Sequence, residues 1–316
     1  MTVSADYAGA RLDRLLRRLL ADQSLASIFK LLRTGGVRLN GAKARGNKIL
    51  AQGDRLLFFG VRPSDAPAAP PPAAVHVTFS VLFEDAHLLV LDKPAGLAVH
   101  PGTGIVTPTL IDEVRSYLGL TAPREPLAFE PAPAHRLDRD TSGVLVVAKT
   151  RRVMVALAAS WAQGGSVRKG YLALVRGEME EPRGTLAAPL PLKAERRGAA
   201  AEVRSERAVS HYRVLGSVGW ASLLAVEIET GRNHQIRRHL QGVGHEVAGD
   251  RRHGDVAFNR LLHDRYGLTR LFLHAERLTL AHPVTGAHLE LRAPLPEGLY
   301  AVLRRAGLSA TAAGST

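Results

Sequence analysis

A chain of 316 residues that is 46% hydrophobic and 22% charged has the composition of a packed globular protein, and its length predicts about two structural units. The complete lack of cysteine excludes disulfides, thiolate zinc sites and cysteine nucleophiles, so any chemistry must come from Asp, Glu, His, Tyr, Ser, Lys or Arg. The formal charge of +13 suits a polyanionic partner, and it is unevenly spread. Residues 1–60 hold eight Arg and three Lys against four Asp and no Glu, a net +7. No apolar run reaches the roughly 18 to 20 residues of a spanning helix, and the N-terminal stretch lacks a signal-peptide core, so a cytoplasmic protein off the membrane is expected.

In chain order, RLDRLLRRLL puts Leu12, Leu15, Leu16, Leu19 and Leu20 on one helical stripe, with Arg11, Arg14, Arg17 and Arg18 mostly opposite. A second helix is predicted to start after Ser24 or Ser27, either of which can cap free backbone amides. It turns Ile28, Leu31 and Leu32 inward and Lys30 and Arg33 outward, and Gly35-Gly36 stops it. Val37-Arg38-Leu39, the turn pair Asn40-Gly41, and Gly53-Asp54 before Arg55 to Phe59 predict a small basic hairpin. A membrane-surface helix would explain Arg11 to Leu20 but neither the hairpin nor the glycines. Arg14, Arg17, Arg18, Lys30, Arg33, Arg38 and Lys43 are therefore the expected nucleic-acid contacts of this segment.

Between Arg62 and Val75 the text becomes RPSDAPAAPPPAAV, whose five prolines favour an extended spacer. From His76 onward VTFSVLF, LLVLDK, GVLVVAK, VRKGYLALV, SHYRVL, ASLLAVEIE, LFLHAERLTL and HLELRAP read as strands, with helices at Leu110 to Leu118, Val153 to Ala162 and Asn233 to Gln241. That pattern predicts an α+β fold with a mixed, largely antiparallel sheet. The expected division is a basic, nucleic-acid-binding module over 1–61, a linker over 62–75, a strand-rich main domain over 76–300, and the end of a C-terminal helix with a disordered tail over 301–316.

Three polar clusters carry the candidate chemistry. HRLDRDTSG (His135 to Gly143) precedes the buried strand VLVVA, so Asp138 is presented at a strand mouth, with hydroxyls and amides of Thr141, Ser142 and Gly143 able to fix a carboxylate or phosphate. GRNHQIRRH (Gly231 to His239) opens a helix and offers a guanidinium to pair with that carboxylate. Lys169-Gly170-Tyr171 begins a strand with a phenol able to stack on a base or reach for a proton. His234, His239, His245 and Asp250 suggest a metal site only superficially, because His234 and His239 are five residues apart and fall off one helical face. DKPAG reads as a structural turn, and His100 and His135 as structural hydrogen-bonders.

Residues 10–60 resemble the S4-like RNA-binding domain through RLDRLL, LLRTGGVRLNG and GDRL. Residues 78–298 resemble the RluA family of pseudouridine synthases, most closely its RluC-type members, through DKPAGLAVHPG, HRLDRDTSGVLVVAKT, KGYLALVRG, TGRNHQIRRH and RLFLHAERLTLAHPVTG, in family order. The resemblance implies that Asp138 is the essential aspartate, Tyr171 the active-site tyrosine, Arg237 the partner of the aspartate, and Arg136 the residue that helps displace the target nucleotide. Lys169, Arg232, His234 and Gln235, beside these, are expected to touch RNA. In GHEVAGDRRHGD the sequence departs from the family pattern, with Glu246 where proline is usual and His253 where tyrosine is common, both expected to lie outside the catalytic set.

The implied reaction breaks the bond from ribose C1′ to N1 of uracil, turns the base over and rejoins it through C5. Redox state is unchanged, so no cofactor and no metal are expected. The carboxylate either attacks C1′ or removes a sugar proton, and water or Tyr171 takes the C5 proton. With the S4-like module in front, the implied substrate is large-subunit ribosomal RNA, handled by a monomer. The alternative is a non-catalytic RNA-binding ribosome-assembly factor on the same scaffold.

Overall fold

Helix α1 (Leu12–Leu19) forms where the leucine stripe predicts it, burying Leu12, Leu15, Leu16 and Leu19. In the computed structural model, which describes residues 1–4, 7–20, 22–63, 75–101, 108–120, 129–163, 166–191 and 205–309, those leucines share a core with Ile28, Leu32, Val37, Leu39, Leu50 and Leu56. Ser24, not Ser27, caps helix α2 (Leu25–Thr34): its hydroxyl accepts the Ser27 amide, and Gly35 closes the helix at φ +88°. Strands β1 (Val37–Leu39) and β2 (Leu56–Phe58) pair antiparallel. The turn after β1 is locked by Asn40, whose amide donates to Asp54 and whose carbonyl accepts the Arg55 amide.

The remaining elements are β3 (Ser80–Glu84), β4 (Leu88–Lys93), α3 (Leu110–Tyr117), β5 (Ala132–Pro133), β6 (Ser142–Ala148), α4 (Arg151–Ala162), β7 (Arg168–Arg176), β8 (Arg183–Leu186), β9 (Leu190–Pro191), β10 (Ser205–Glu206), β11 (Ser210–Val218), β12 (Ala221–Ile228), α5 (Gln235–Gly242), α6 (Val256–Tyr266), β13 (Leu273–Ala281), β14 (His288–Arg292) and α7 (Glu297–Ala306). Ten strands make one sheet in the order β3-β4-β6-β13-β7-β12-β11-β8, with β14 beside β13 and β5 beside β6. β13 pairs parallel to β6 and antiparallel to β7 and β14, so the sheet is mixed and largely antiparallel, as expected.

Five elements lie outside the sequence expectations: the two-residue strands β5, β9 and β10, too short to show any pattern, and α6 and β8. α6 buries only Phe258 and Leu262, too few positions to show a helical period, although Asp255 caps it and Gly267 ends it. β8 lies at the sheet edge with its side chains half-buried or exposed, so its text carries no apolar alternation.

Residues 1–77, 112–132 and 148–155 cluster in one compact unit, and residues 78–111, 133–147 and 156–316 in another. The expected proline-rich spacer falls mostly at 64–74, and the expected tail at 310–316, both outside the described residues. No helix among the described residues is long and apolar enough to cross a membrane.

The second unit brings the polar clusters together through sheet order. β6 and β12 are separated by β13 and β7, so the loop entering β6 and the helix leaving β12 project from the same region of the sheet. Gly143 makes the parallel contact possible. At φ +117° it lies against Ala275, whose carbonyl would collide with any Cβ there.

Candidate active site

Asp138 stands in the turn before β6, where the Thr141 amide donates to its carbonyl at 3.1 Å. The carboxylate points to α5, and Arg237 Nη1 donates to its Oδ2 at 2.9 Å. The other face of the same guanidinium is held by Asp250, which accepts from Nε at 2.6 Å and from Nη2 at 2.8 Å. Asp250 has a side-chain exposure of 0% and also accepts the amides of Arg252 and His253, both at 2.9 Å. Burial opposes its ionisation, but the Arg237 bonds and these two amides outweigh it and hold the carboxyl below the usual carboxylate range. Burial likewise works against the charge on Arg237, and the bonds to Asp250 and Asp138 more than offset it.

Backbone packing delivers Asp250. The Ala248 amide donates to Leu174 in β7, and the Phe272 amide donates to Ala248, each at 2.8 Å, so residues 247–250 are wedged between strands. Gly249, at φ +73°, passes so close to the Arg270 carbonyl that no side chain would fit. From sequence, Glu246 and His253 of this segment are expected outside the catalytic set, and Asp250 is weighed only as a metal ligand. Nothing local in GHEVAGDRRHGD distinguishes Asp250 from the charged residues around it.

The hydroxyls after Asp138 do not hold its carboxylate, contrary to expectation. Ser142 Oγ accepts from Arg270 Nη2 at 2.8 Å and donates to His274 Nδ1 at 2.9 Å, while His274 Nε2 donates to the Ala293 carbonyl at 3.1 Å. They clamp β6 to β13 instead. Thr141 Oγ1 is buried without a hydrogen-bond partner among the described residues. Beneath the loop, Lys93 is 0% exposed and its ammonium donates to the carbonyls of Pro94, Leu97 and Arg139. DKPAG is thus a structural turn, tied to the Asp138 loop by the Lys93 ammonium, whose pKa burial pushes down to about 7.

Asp138, Arg237, His234 and Arg136 line a cavity of about 920 Å³ together with Arg139, Arg251, Arg252 and Arg270. A narrower crevice of about 100 Å³ continues past Asp138 to Tyr171, Thr141 and Leu273. Tyr171 is buried in β7 opposite Val226, and burial, followed by the charge of Asp138, raises its phenol pKa. Arg136 is exposed at the rim of both spaces. Lys169, half-buried beside Gly231, has its pKa lowered by burial.

Of the expected RNA contacts, Gln235 is directed inward, whereas Arg232 is exposed. The buried Gln235 side chain donates to Val209 and Ser210 and accepts from Thr230 and the Arg232 amide, so it braces the loop and has no donor left for RNA. Arg232 pairs with Glu206 and donates to the Arg207 carbonyl. In the first unit, Arg14, Arg17, Lys30, Arg33, Arg38 and Lys43 are exposed, and Arg33 and Lys43 border a 490 Å³ groove with Phe29. Arg38 lies over the Phe59 ring, and Arg18 donates to the Tyr7 hydroxyl at 2.7 Å. The residues weighed for a metal are engaged elsewhere: His239 with Ser210 and Ala188, His245 with the Arg176 carbonyl, and Asp250 with Arg237. His135 accepts the Val146 amide and stacks on Trp161, a structural role as expected.

A family profile described as RNA pseudouridylate synthase matches residues 87–242, which span the Asp138 loop, Tyr171 and Arg237. The protein of Escherichia coli (strain K12) named ribosomal large subunit pseudouridine synthase C is 36% identical, over 96% of this chain and 95% of that one. The chain belongs to the RluA family of pseudouridine synthases. A Vibrio vulnificus RluA-family protein of the same name is 34% identical over 96% of this chain and 94% of its own. The solved structure of human RNA pseudouridylate synthase domain containing 4 superposes with a TM-score of 0.58 at 27% identity, covering 73% of this chain and 94% of the human one. RluA-family membership makes the protein an RNA-directed isomerase on the pseudouridine synthase fold.

Proposed function

We propose that this enzyme isomerises uridines of large-subunit ribosomal RNA, with Asp138 as the catalytic carboxylate. The observation that carries the reading is the ion pair of Asp138 with Arg237 on the wall of a 920 Å³ cavity, a space that admits an extruded nucleotide. One carboxylate oxygen is committed to Arg237, and Oδ1 remains to address the sugar, either attacking C1′ or taking a proton from the ribose.

Flipping a base from its stack costs a few kcal/mol, which contacts in the site must offset. Arg136, exposed at the cavity rim, fills the space the base leaves. Tyr171, at the end of the narrow crevice, packs against the extruded uracil. Its raised pKa keeps the phenol protonated near neutrality, so water rather than a phenolate takes the C5 proton after the base rejoins.

Residues 1–61 act as an S4-like anchor whose exposed Arg14, Arg17, Lys30, Arg33, Arg38 and Lys43 meet RNA phosphates. The ribosomal substrate is supported by curated relatives named for the large subunit that match along 95% and 94% of their own length.

The test is a map of pseudouridines across ribosomal RNA in a strain lacking the protein. Specific large-subunit sites should lose the modification, regain it with the wild-type gene, and stay unmodified with Asp138→Ala. An unchanged map would remove the reading.

A further inference from the structure

Next to Asp138 lies a pair of histidines to which the reaction as derived above gives no part. His234 Nε2 is 3.9 Å from Asp138 Oδ1, the carboxylate oxygen that Arg237 leaves free. His234 Nδ1 is 2.9 Å from His253 Nε2, and His253 Nδ1 is 3.1 Å from Gln241 Oε1. An amide oxygen only accepts, so His253 carries its proton on Nδ1 and presents a lone pair at Nε2. His234 must then donate from Nδ1, which leaves its own lone pair on Nε2, facing the cavity. Burial pushes His234 down to about 4 and lowers His253 as well, so both rings are neutral near pH 7.

Two acceptors therefore face each other at 3.9 Å, too far apart to bond and with no proton between them. A hydroxyl placed between them satisfies both the geometry and the charge, and a substrate bound in the cavity can bring one. A carboxylate that addresses C1′, or a proton on C2′, necessarily has the ribose 2′-oxygen as a neighbour. We propose that His234 Nε2 accepts the 2′-hydroxyl of the target nucleotide, and that His253, linked to Gln241, is the positioning residue that fixes the His234 tautomer for this purpose. The assignment rests on the reaction proposed above and adds to it a means of selecting ribose over deoxyribose at the reacting nucleotide.

Tyrosine in place of His253 can reproduce the link, because a phenol can donate to Gln241 and accept from His234. Phenylalanine cannot. His234 itself is held in place by the backbone, at φ +52° just before α5, so His253 has only to orient the ring.

The experiment uses the full-length enzyme and a ribosomal RNA fragment that it modifies, made with either ribose or 2′-deoxyribose at the one target uridine. Single-turnover rates and fragment affinities are measured for wild type, His253→Phe and His253→Tyr. Loss of one hydrogen bond to the sugar should slow wild type about ten-fold on the deoxy target, and His253→Phe about ten-fold on the ribo target. On the deoxy target His253→Phe should match wild type, its affinity for the fragment should stay within about two-fold, and His253→Tyr should recover the ribo rate. Equal slowing of both targets by His253→Phe would mark a merely structural residue and overturn the proposal, as would no slowing at all. Complete inactivity of wild type on the deoxy target would put the hydroxyl in the chemistry itself and overturn it too. Should His253→Phe not fold, Gln241→Leu on the exposed side of α5 must show the same selective loss on the ribo target. Turnover of the ribo fragment by wild type is the control on the reaction itself, so its failure is distinct from failure of the histidine assignment.

Discussion

Arg237 gives two nitrogens to Asp250 and one to Asp138, so the firmer half of the ion-pair network is the more deeply buried half. Asp250 has no exposed side-chain surface, whereas Asp138 is 19% exposed. The guanidinium is anchored by the fully buried carboxylate and presents its remaining nitrogen to the partly exposed one. It acts as a fixed strut, which limits how far Asp138 can swing when RNA enters.

Arg237→Met should therefore harm folding as well as turnover. It strands a buried carboxylate without a counter-charge, a change that costs about 3 to 5 kcal/mol in comparable sites. Urea unfolding should show that loss, and adding Asp250→Leu should recover a substantial part of it. Turnover should stay low in both variants, because Asp138 is unpaired in each. Wild-type stability in Arg237→Met would mean that Asp250 draws its support from the two backbone amides alone.

Asp138→Asn should separate the two effects in the opposite sense. The side chain keeps its shape and an oxygen for Arg237 Nη1, and the Arg237–Asp250 pair is untouched. Stability should change by no more than about 1 kcal/mol, while single-turnover pseudouridine formation falls by about a thousand-fold or more. A residual rate within about ten-fold of wild type would move the carboxylate's role to another residue.

How much of this was legible beforehand depended on whether a residue's partners lie close in the chain or far away. The leucine stripe of α1, the cap of α2 and the strand at Ser142–Ala148 follow from local periodicity and turn chemistry, and the text around Asp138, Tyr171 and Arg237 carried its own resemblance. Asp250 was missed as a strut because its role is set by a partner thirteen residues away and by strands β7 and β13 on either side. Lys93 was missed because a lysine closing an apolar strand looks like a surface residue until three carbonyls, one of them 46 residues further on, are seen to surround it. Gln235 and Arg232 were read as RNA contacts from their place in a polar cluster. Gln235 turns inward because the loop between β12 and α5 needs its own amides and carbonyls satisfied, while Arg232 stays exposed and pairs with Glu206.

His274 predicts an acid limit on stability. Burial pushes it down to about 4, with the Ala293 carbonyl only partly opposing, while the same imidazole in the unfolded chain titrates near 6.5. The unfolded chain thus binds one more proton between those values, and stability falls as pH falls. The contribution is fully present above about pH 6.5 and is lost towards pH 4, by up to about 3 kcal/mol. Urea unfolding from about pH 7 to pH 4.5 should show this slope, and His274→Gln should remove one proton from it. An identical slope in the variant would show that His274 is not held neutral.

The basic first unit predicts which arginines govern the salt dependence of RNA binding. Arg14, Arg17 and Lys30 are exposed and form no ion pair among the described residues, so each is available to a phosphate. Arg18 differs: it bonds the Tyr7 hydroxyl and lies 3.6 Å from Glu130 within the same unit. Each lost phosphate contact should flatten the plot of log affinity against log salt by about 0.7 to 0.9, so the triple change Arg14→Ala, Arg17→Ala and Lys30→Ala should reduce its slope by about 2. Arg18→Ala should leave the slope close to wild type and lower thermal stability instead. Equal slope changes from Arg18→Ala and from each of the other three would mean that the contact with Tyr7 gives way when RNA binds, and would place Arg18 on the RNA-facing side.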